Sequence, residues 1–183
     1  VAILAPNCAE WVVSCLGLIA AGAPAVPLDD LVADVELARI IADSGARRIF
    51  TTRPYAERLA TLGLADDLHI HRLDDDPAGP GEHWRHLVAD GPRTQPGPGP
   101  EDMASLFYTS GTTGLPKGVP LCHRNIVTTL VELRAQGFID AGDRVMLPLP
   151  LHHAYPFIIG MLWPLSTGAT IVLPAGLTGP EIA

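Results

Sequence analysis

Short apolar runs alternate with amphipathic helical patterns along most of the 183 residues, and this alternation constrains the fold more than any other feature. Two buried strands joined by a helix form a right-handed βαβ unit, and repeating that unit builds a parallel sheet. The pattern therefore predicts an α/β protein with mainly parallel sheets and flanking helices. An antiparallel sandwich or a helical bundle would contradict this prediction.

The boundaries of the predicted elements come from capping and turn residues. Asn7 followed by Glu10 resembles a capping box and predicts a helix start, and Gly22 predicts its end. Alternating polarity in Leu68–Leu73 predicts an edge strand. The other predicted strands are Val1–Ala5, Ala23–Leu28, Arg48–Thr51, Ala104–Tyr108, Gly118–Leu121, Arg144–Leu147 and Ala169–Leu173. The predicted helices are Asn7–Ala21, Val32–Ser44, Pro54–Leu62, Glu82–Ala89, Arg124–Gln136 and Tyr155–Ser166.

A change of composition divides the chain into three segments. Residues 74–101 contain the acidic run Asp74–Asp76 and many of the Pro and Gly residues, which is typical of a surface connection. We expect 1–73 to form a first α/β subdomain segment and 102–183 to form a second, truncated one that carries a phosphate loop. One continuous sheet is the alternative arrangement. The acidic run is interpreted as solvated surface and not as a metal site.

Charge, hydropathy and cysteine content exclude several classes of function. The formal charge is −8 and no basic patch is visible, so nucleic acid and anionic membranes are not expected partners. Gly, Pro and charged residues interrupt every apolar stretch before the roughly 18 residues that a membrane span needs. The three cysteines form neither a disulfide framework nor a zinc motif, which predicts reduced thiols and a cytoplasmic location. Because the chain opens on Val1, we also expect it to begin within a longer protein.

The segment Tyr108–Val119 contains the residues with the clearest chemical role. It holds four hydroxyls, three glycines and one lysine, and no acidic residue lies between Asp102 and Glu132. Glycines let the backbone N–H groups converge on an anion, and the hydroxyls and Lys117 add further donors. The spacing matches neither a Walker A loop, nor Gly-x-Gly-x-x-Gly, nor Gly-x-Ser-x-Gly. From composition alone, a phosphate loop and a surface turn remain equally good interpretations.

The string Tyr108–Val119 resembles the phosphate-binding signature of the acyl-adenylate-forming, or AMP-binding, synthetases, position by position over twelve residues. The segments 1–29 and 149–169 resemble the family's early strand-helix-strand segment and its substrate-side motif. The best resemblance is to an N-terminal-domain fragment of a fatty acyl-CoA ligase. The family's reaction is then implied: a carboxylate attacks Mg-ATP to give acyl-AMP, and CoA accepts the acyl group.

The resemblance also implies roles for individual residues. It assigns phosphate binding to one set of loop residues: Thr109, Ser110, Gly111, Thr112, Thr113, Gly114 and, less specifically, Lys117. His153 matches the position beside the acyl group and is the one residue with a candidate catalytic role, whereas packing is the expected role of His152. Tyr155 is a candidate for lining an acyl pocket. The sites for Mg²⁺ and CoA are expected mostly outside this chain, and no residue within it is predicted to bind a metal.

The resemblance to AMP-binding synthetases also indicates a class of substrate. Amino-acid-activating relatives usually carry an Asp near this motif, and the run Leu151–Ala154 contains none. A small-molecule carboxylic acid without an α-amine therefore fits better, and the apolar stretch Tyr155–Trp163 favours a fatty or other hydrophobic acid. That stretch is also expected to leave apolar surface exposed around a half-formed pocket.

Several alternatives stay open. The acyl group could be loaded onto a carrier protein by an acyl-AMP ligase or adenylation domain. The chain could also be a non-catalytic nucleotide- or anion-binding module, or an unrelated α/β oxidoreductase. Under the ligase interpretation, the partner is the missing C-terminal domain of the same enzyme. The 183 residues alone are then expected to be inactive.

Overall fold

A computed structural model describes residues 1–75, 80–88, 96–110 and 116–174. Its main sheet has five parallel strands in the order β2-β1-β3-β4-β5. These strands are β1 Ala2–Leu4, β2 Val26–Pro27, β3 Arg48–Thr51, β4 His69–Arg72 and β5 Glu82–His83. The predicted α/β class with mainly parallel strands is confirmed.

Helices cover both faces of this sheet, and each face has its own hydrophobic cluster. Trp11 from the first helix packs with Ile3 and Phe50 on one face. Leu37 from the second helix packs with Ile49 on the other face. Two-sided burial explains why these strands are continuous apolar runs in the sequence.

The α-helices of the described residues are α1 Ala9–Ala20, α2 Asp34–Ser44, α3 Arg53–Thr61, α4 His123–Ala135 and α5 Trp163–Thr167.

The second half of the chain begins with a hairpin. Strands β6 Met103–Ser110 and β7 Pro116–Cys122 pair antiparallel. A parallel pair would need a crossover of about a dozen residues, which this short connection cannot supply. The expectation of mainly parallel pairing is therefore wrong for these two strands.

One parallel bridge, between Ala25 and Ser105, connects the hairpin to the β2 edge of the main sheet. Ala25 donates its N–H to the Ala104 carbonyl at 3.0 Å, and Leu106 donates to the Ala25 carbonyl at 2.8 Å. These bonds connect the hairpin to the main sheet at one point, and the described strands otherwise form three sheets of five, two and two strands. The boundaries proposed for the three segments remain a prediction.

The last described elements are a parallel pair and an irregular helix. Strands β8 Arg144–Met146 and β9 Thr170–Val172 pair parallel, and the chain between them forms a π-helical segment, Pro156–Leu162, followed by α5. Phe157 and Met161 are fully buried. The apolar stretch Tyr155–Trp163 is thus mostly core, and within it only Tyr155 is largely exposed, at 66%.

Two local predictions also need correction. Cys8, and not Asn7, is the N-cap of α1, because its sulfur accepts the N–H of Trp11. Strand β4 is not an edge strand, because β5 pairs with its outer side. The connection 74–101 thus contributes the edge strand of the sheet, and Trp84–Leu87 forms a 3₁₀ turn where a longer helix was predicted.

In the described part of the chain, no helix has the length and apolar character needed to cross a membrane.

Candidate functional site

The β6–β7 hairpin holds Thr109 and Lys117 opposite each other. They are paired residues in adjacent strands, and both side chains are exposed. Paired positions project to the same face of a hairpin with Cβ atoms about 5 Å apart. A hydroxyl donor and a positive charge therefore stand side by side at the base of the Gly-rich loop. Ser110 pairs with Pro116 on the next rung. The predicted phosphate ligands Gly111, Thr112, Thr113 and Gly114 lie outside the described residues.

A cavity of about 350 Å³ lies next to this hairpin. Thr109 and Tyr108 line it from β6, His152 and His153 from the loop after β8, and the segment after β2 together with the first turns of α2 completes the lining. In parallel α/β sheets, ligands bind outside the carboxyl ends of the strands, and this cavity has that position. The structure thus brings together two of the predicted site residues, Thr109 and His153.

Asn7 connects β1 to the loop that carries the histidine pair. Its Nδ2 donates to the Leu149 carbonyl at 2.8 Å, and its Oδ1 accepts the N–H of Leu151 at 2.9 Å. The two backbone groups belong to the residues on either side of Pro150, and Leu151 is followed directly by His152. Asn7 is therefore a positioning residue for the site and not the helix cap that the sequence suggested. The position of Asn7, directly after the first predicted strand, was the sequence feature that could have indicated this role.

His152 is largely buried and lies beside two carboxylates. Its Nε2 is 3.6 Å from Asp29 Oδ1, and its side chain is 10% exposed. Burial lowers the pKa of His152, the neighbouring His153 lowers it further, and the charges of Asp29 and Asp30 oppose these effects. The packing role predicted for His152 is compatible with this burial. His152 also lines the cavity, which the sequence interpretation missed.

Acidic side chains lie close to the histidine pair after all, although none occurs near it in the sequence. Ligand atoms of Asp29, Asp30 and His152 lie within 4.8 Å of one another. The segment Leu151–Ala154 carries no acidic residue, but the loop after β2 places Asp29 and Asp30 beside it. The Asp30 carboxylate accepts the Tyr55 hydroxyl at 2.9 Å, and Asp29 accepts the Leu31 N–H at 2.8 Å. Because these oxygens already have protein partners, we assign no metal to them.

His153 is the more exposed member of the pair. Its ring centroid is 4.3 Å from that of His152, and its side chain is open to solvent on the cavity side. The candidate acyl-pocket residue Tyr155 is 66% exposed and is not among the described residues that line the cavity. His153 therefore keeps its predicted place near a substrate, whereas the predicted role of Tyr155 gains no geometric support.

A second cavity of about 220 Å³ adjoins the first and shares His152 with it. Its walls include Asn7, Asp30, Leu147 and Pro150. His152 thus lines two cavities, one that reaches the hairpin and one that reaches the carboxyl ends of β1 and β8. This arrangement gives room for two ligand parts that meet at His152.

The donor set of the first cavity suits a phosphorylated ligand at one end only. Thr109 lines the cavity with its hydroxyl, its strand partner Lys117 adds an ammonium group beside it, and Asp29 and Glu36 also line the cavity. A polyanion is attracted to the hairpin cation and repelled by the two carboxylates.

Residues 1–181 match the family model described as AMP-binding enzyme. The chain belongs to this family. This match confirms the family resemblance that was inferred from Tyr108–Val119, and it is consistent with the observed α/β fold.

Characterised relatives of several kinds are similar to the chain. It is 31% identical over 177 residues to 4-coumarate–CoA ligase 2 of Solanum tuberosum, covering 93% of this chain and 32% of the relative. It is 32% identical over 180 residues to sulfoacetate–CoA ligase of Cupriavidus necator, covering 95% and 34%. It is also 33% identical over 173 residues to tyrocidine synthase 3 of Brevibacillus parabrevis, covering 94% and 2%. The chain thus spans about a third of these CoA ligases and a small part of the synthase.

Solved structures agree with the fold. A malonyl-CoA ligase with methylmalonyl-CoA and AMP bound has a TM-score of 0.79 at 30% identity, over 98% of this chain and 36% of that one. An o-succinylbenzoate–CoA synthetase of Bacillus subtilis in complex with AMP has a TM-score of 0.81 at 24% identity, over 99% and 44%. The second likeness shows the fold alone.

Proposed function

We propose that this chain is the phosphate- and acyl-binding part of an ATP-dependent acid–CoA ligase. In the first half-reaction, a substrate carboxylate oxygen attacks the α-phosphorus of ATP, the bond to the bridging oxygen breaks, and acyl-AMP and pyrophosphate form. In the second half-reaction, the thiol of CoA takes the acyl group and releases AMP. One observation carries the proposal: Thr109 of the hairpin and His153 of the histidine pair line one cavity.

Each part of the cavity has a function in this reaction. The leaving pyrophosphate carries most of the negative charge, and donors already in place would stabilise it as that charge develops. Thr109 and Lys117 would supply donors at that end, together with the loop that follows Ser110. His153 would orient the acyl carboxylate for attack, because positioning the two reactants contributes much of the rate enhancement.

Mg²⁺ would supply charge neutralisation on the phosphates. The exposed Thr109 hydroxyl and the Lys117 ammonium fit contacts with phosphate oxygens, but neither strand of the hairpin offers a carboxylate to bind the ion itself. Asp29 also lines the cavity, but it comes from the loop after β2 and its carboxylate already has protein partners. These residues therefore favour the prediction that the magnesium ligands come from elsewhere in the enzyme.

The proposed substrate is a carboxylic acid, and a fatty acid is the first candidate. The apolar stretch that suggested a fatty acid contributes Phe157 and Met161 to the core, so hydrophobic pocket walls must come from other residues. Relatives named for coumarate, sulfoacetate and malonate justify testing aryl, sulfonated and dicarboxylic acids as well. Asp29 and Asp30 beside the pair justify including amino acids, since a carboxylate can pair with a substrate ammonium.

The experiment is acid-dependent ATP–pyrophosphate exchange by the full-length protein with this panel of acids. We expect exchange with at least one acid. The variants Thr109→Val and Lys117→Met should each lower kcat/KM for ATP by about 100- to 1,000-fold, the range seen when one transition-state donor is removed. Arg124→Met is the matched control, because Arg124 is an exposed cation that pairs with Glu101 outside the cavity. Its kcat/KM should stay within about two-fold, since a surface ion pair contributes little.

Absence of exchange with every acid, while ATP still binds, would favour a non-catalytic nucleotide-binding module. The similarity to tyrocidine synthase 3 supports a second candidate function, in which a carrier protein and not CoA accepts the acyl group. Acyl transfer to CoA and to a phosphopantetheine-loaded carrier protein distinguishes the two. Formation of acyl-CoA supports the first proposal, and transfer to the carrier protein alone supports the second.

A further inference from the structure

Two histidines and a glutamate meet at the far edge of the main sheet, away from the candidate active site. His69 and His71 lie two residues apart in β4, so their side chains project to the same face. Glu82 in β5 is the partner of His71 across the parallel pair. One ligand atom from each of the three residues lies within 4.8 Å of the others. His69 Nε2 and Glu82 Oε2 are 3.4 Å apart.

His71 supplies an independent observation that points to a ligand. Its side chain is 1% exposed, and neither ring nitrogen has a hydrogen-bond partner among the described residues. Buried polar atoms in folded proteins almost always have a partner, so an unpartnered imidazole aimed at two other ligand-type side chains calls for one. Its ring packs against Phe50 at 5.0 Å and against His69 at 4.6 Å, which fixes its position.

We propose that His69, His71 and Glu82 bind a divalent transition metal ion, with Zn²⁺ the best match. Imidazole nitrogens and a carboxylate oxygen are ordinary zinc ligands. Metal–ligand distances near 2.0–2.1 Å in a tetrahedron separate neighbouring ligand atoms by about 3.3 Å. The 3.4 Å between His69 Nε2 and Glu82 Oε2 matches this separation. The ion can enter from solvent, because these two side chains are 48% and 61% exposed, and water can complete its shell.

Two charged side chains act on the proposed site in opposite directions. Arg48 opposes a cation at the same place, and the Glu82 carboxylate offsets that charge. Metal binding would also give a partner to one of the two unpartnered ring nitrogens of His71.

The proposed ion would clamp the edge of the sheet. Strand β5 contains only two residues, and it joins β4 through two paired positions, His71–Glu82 and Arg72–His83. A metal bonded to both strands would hold the connection 74–101 against the sheet. This role is structural, and it does not depend on the proposed ligase activity.

The test uses the full-length protein, stripped of metal with a chelator and titrated with Zn²⁺ by calorimetry. Glu82→Gln and His69→Asn each change an exposed ligand, so the variants should still fold, and a far-ultraviolet CD spectrum checks this. His86→Asn is the matched control, because His86 is an exposed histidine on the following turn that is not in the cluster. Co²⁺ in place of Zn²⁺ reports the coordination number through its visible absorption.

We expect one equivalent of Zn²⁺ to bind, and its affinity to fall by about 10-fold or more in each ligand variant, since even an outer partner of a metal ligand contributes 10- to 100-fold. The control should bind as the unaltered protein does. Zn²⁺ should raise the Tm of the unaltered protein and of the control more than that of the two ligand variants. The proposal is overturned if no equivalent binds, or if both ligand variants bind Zn²⁺ with unchanged affinity. Binding lost only in variants of Asp29 or His152 would also overturn it.

Discussion

Leu151 donates its backbone N–H to Asn7 Oδ1 at 2.9 Å, which connects two positions 144 residues apart in the chain. Asn7 completes the contact by donating to the carbonyl of Leu149 at 2.8 Å. A single side chain at the end of β1 therefore holds the loop on both sides of Pro150. The orientation of the histidine pair follows from this contact, because His152 comes directly after Leu151.

Replacement of Asn7 by Ala should affect both stability and catalysis. Two hydrogen bonds are lost and two backbone groups lose their partner, so we expect the free energy of unfolding to fall by about 1–3 kcal/mol. The loop should shift, and kcat/KM for the carboxylic acid should fall more than kcat/KM for ATP. Urea unfolding and pyrophosphate exchange measure these effects. Asn125→Ala is the control, since Asn125 accepts the Cys122 N–H at the start of α4, and this variant should change stability alone.

Stability should depend on pH through His152. Because burial lowers its pKa in the folded state, the unfolded chain binds a proton more readily, with a pKa near 6.5. The free energy of unfolding should therefore decrease as the pH falls below about 6.5. Asp29 and Asp30 reduce the effect, and His153 increases it. His152→Gln should remove this part of the pH dependence in urea titrations, whereas His86→Gln should leave it in place.

Cys15 should be inert in the folded protein. It is fully buried in α1, and burial raises its pKa to about 12, so almost no thiolate is present near pH 8. We expect iodoacetamide to label the partly exposed Cys122 first and to label Cys15 only after unfolding. Mass spectrometry of peptides from native and urea-treated samples distinguishes the two sites. Rapid native labelling of Cys15 would contradict its burial.

Two glycines offer a matched comparison of backbone strain. Gly45 has φ +63° and open space where a Cβ would stand, so Gly45→Ala should cost only the left-handed conformation, about 1–2 kcal/mol. Gly81 has φ +89°, and a Cβ there would lie 2.5 Å from the Ile70 carbonyl oxygen. Gly81→Ala should therefore cost more, about 2–3 kcal/mol, since the strand backbone must also move. Equal costs in chemical unfolding would show that the Ile70 contact is easily relieved.

The 183-residue chain alone should not catalyse acid-dependent pyrophosphate exchange. It covers 32% of 4-coumarate–CoA ligase 2 and 34% of sulfoacetate–CoA ligase, and we place the magnesium ligands outside it. We also expect weak ATP binding, because a formal charge of −8 opposes a polyanion. Comparison with the full-length protein tests both statements. Exchange by the isolated chain at a similar rate would contradict them.

Local patterns predicted most of the secondary structure. Arg48–Thr51 was predicted with the observed boundaries, and Gly45 was correctly placed at the end of α2, where its φ is +63°. These features depend on neighbouring residues alone, since a strand needs apolar β-branched residues and a helix end needs a residue that tolerates positive φ. The pairing partner of β4 could not be predicted in this way. Strand β5 contains two residues, too few to show a period.

The sequence by itself determined the α/β class, the Gly-rich segment between two strands and the family, because all three depend on the order and spacing of residues along the chain. Only the tertiary structure decided which distant residues meet. It placed Thr109 and His153 at one cavity, Asp29 beside His152, and Glu82 beside two histidines. The physical reason is that strand order and register bring these side chains together. Many parts of the core contribute to that order, and no local motif encodes it.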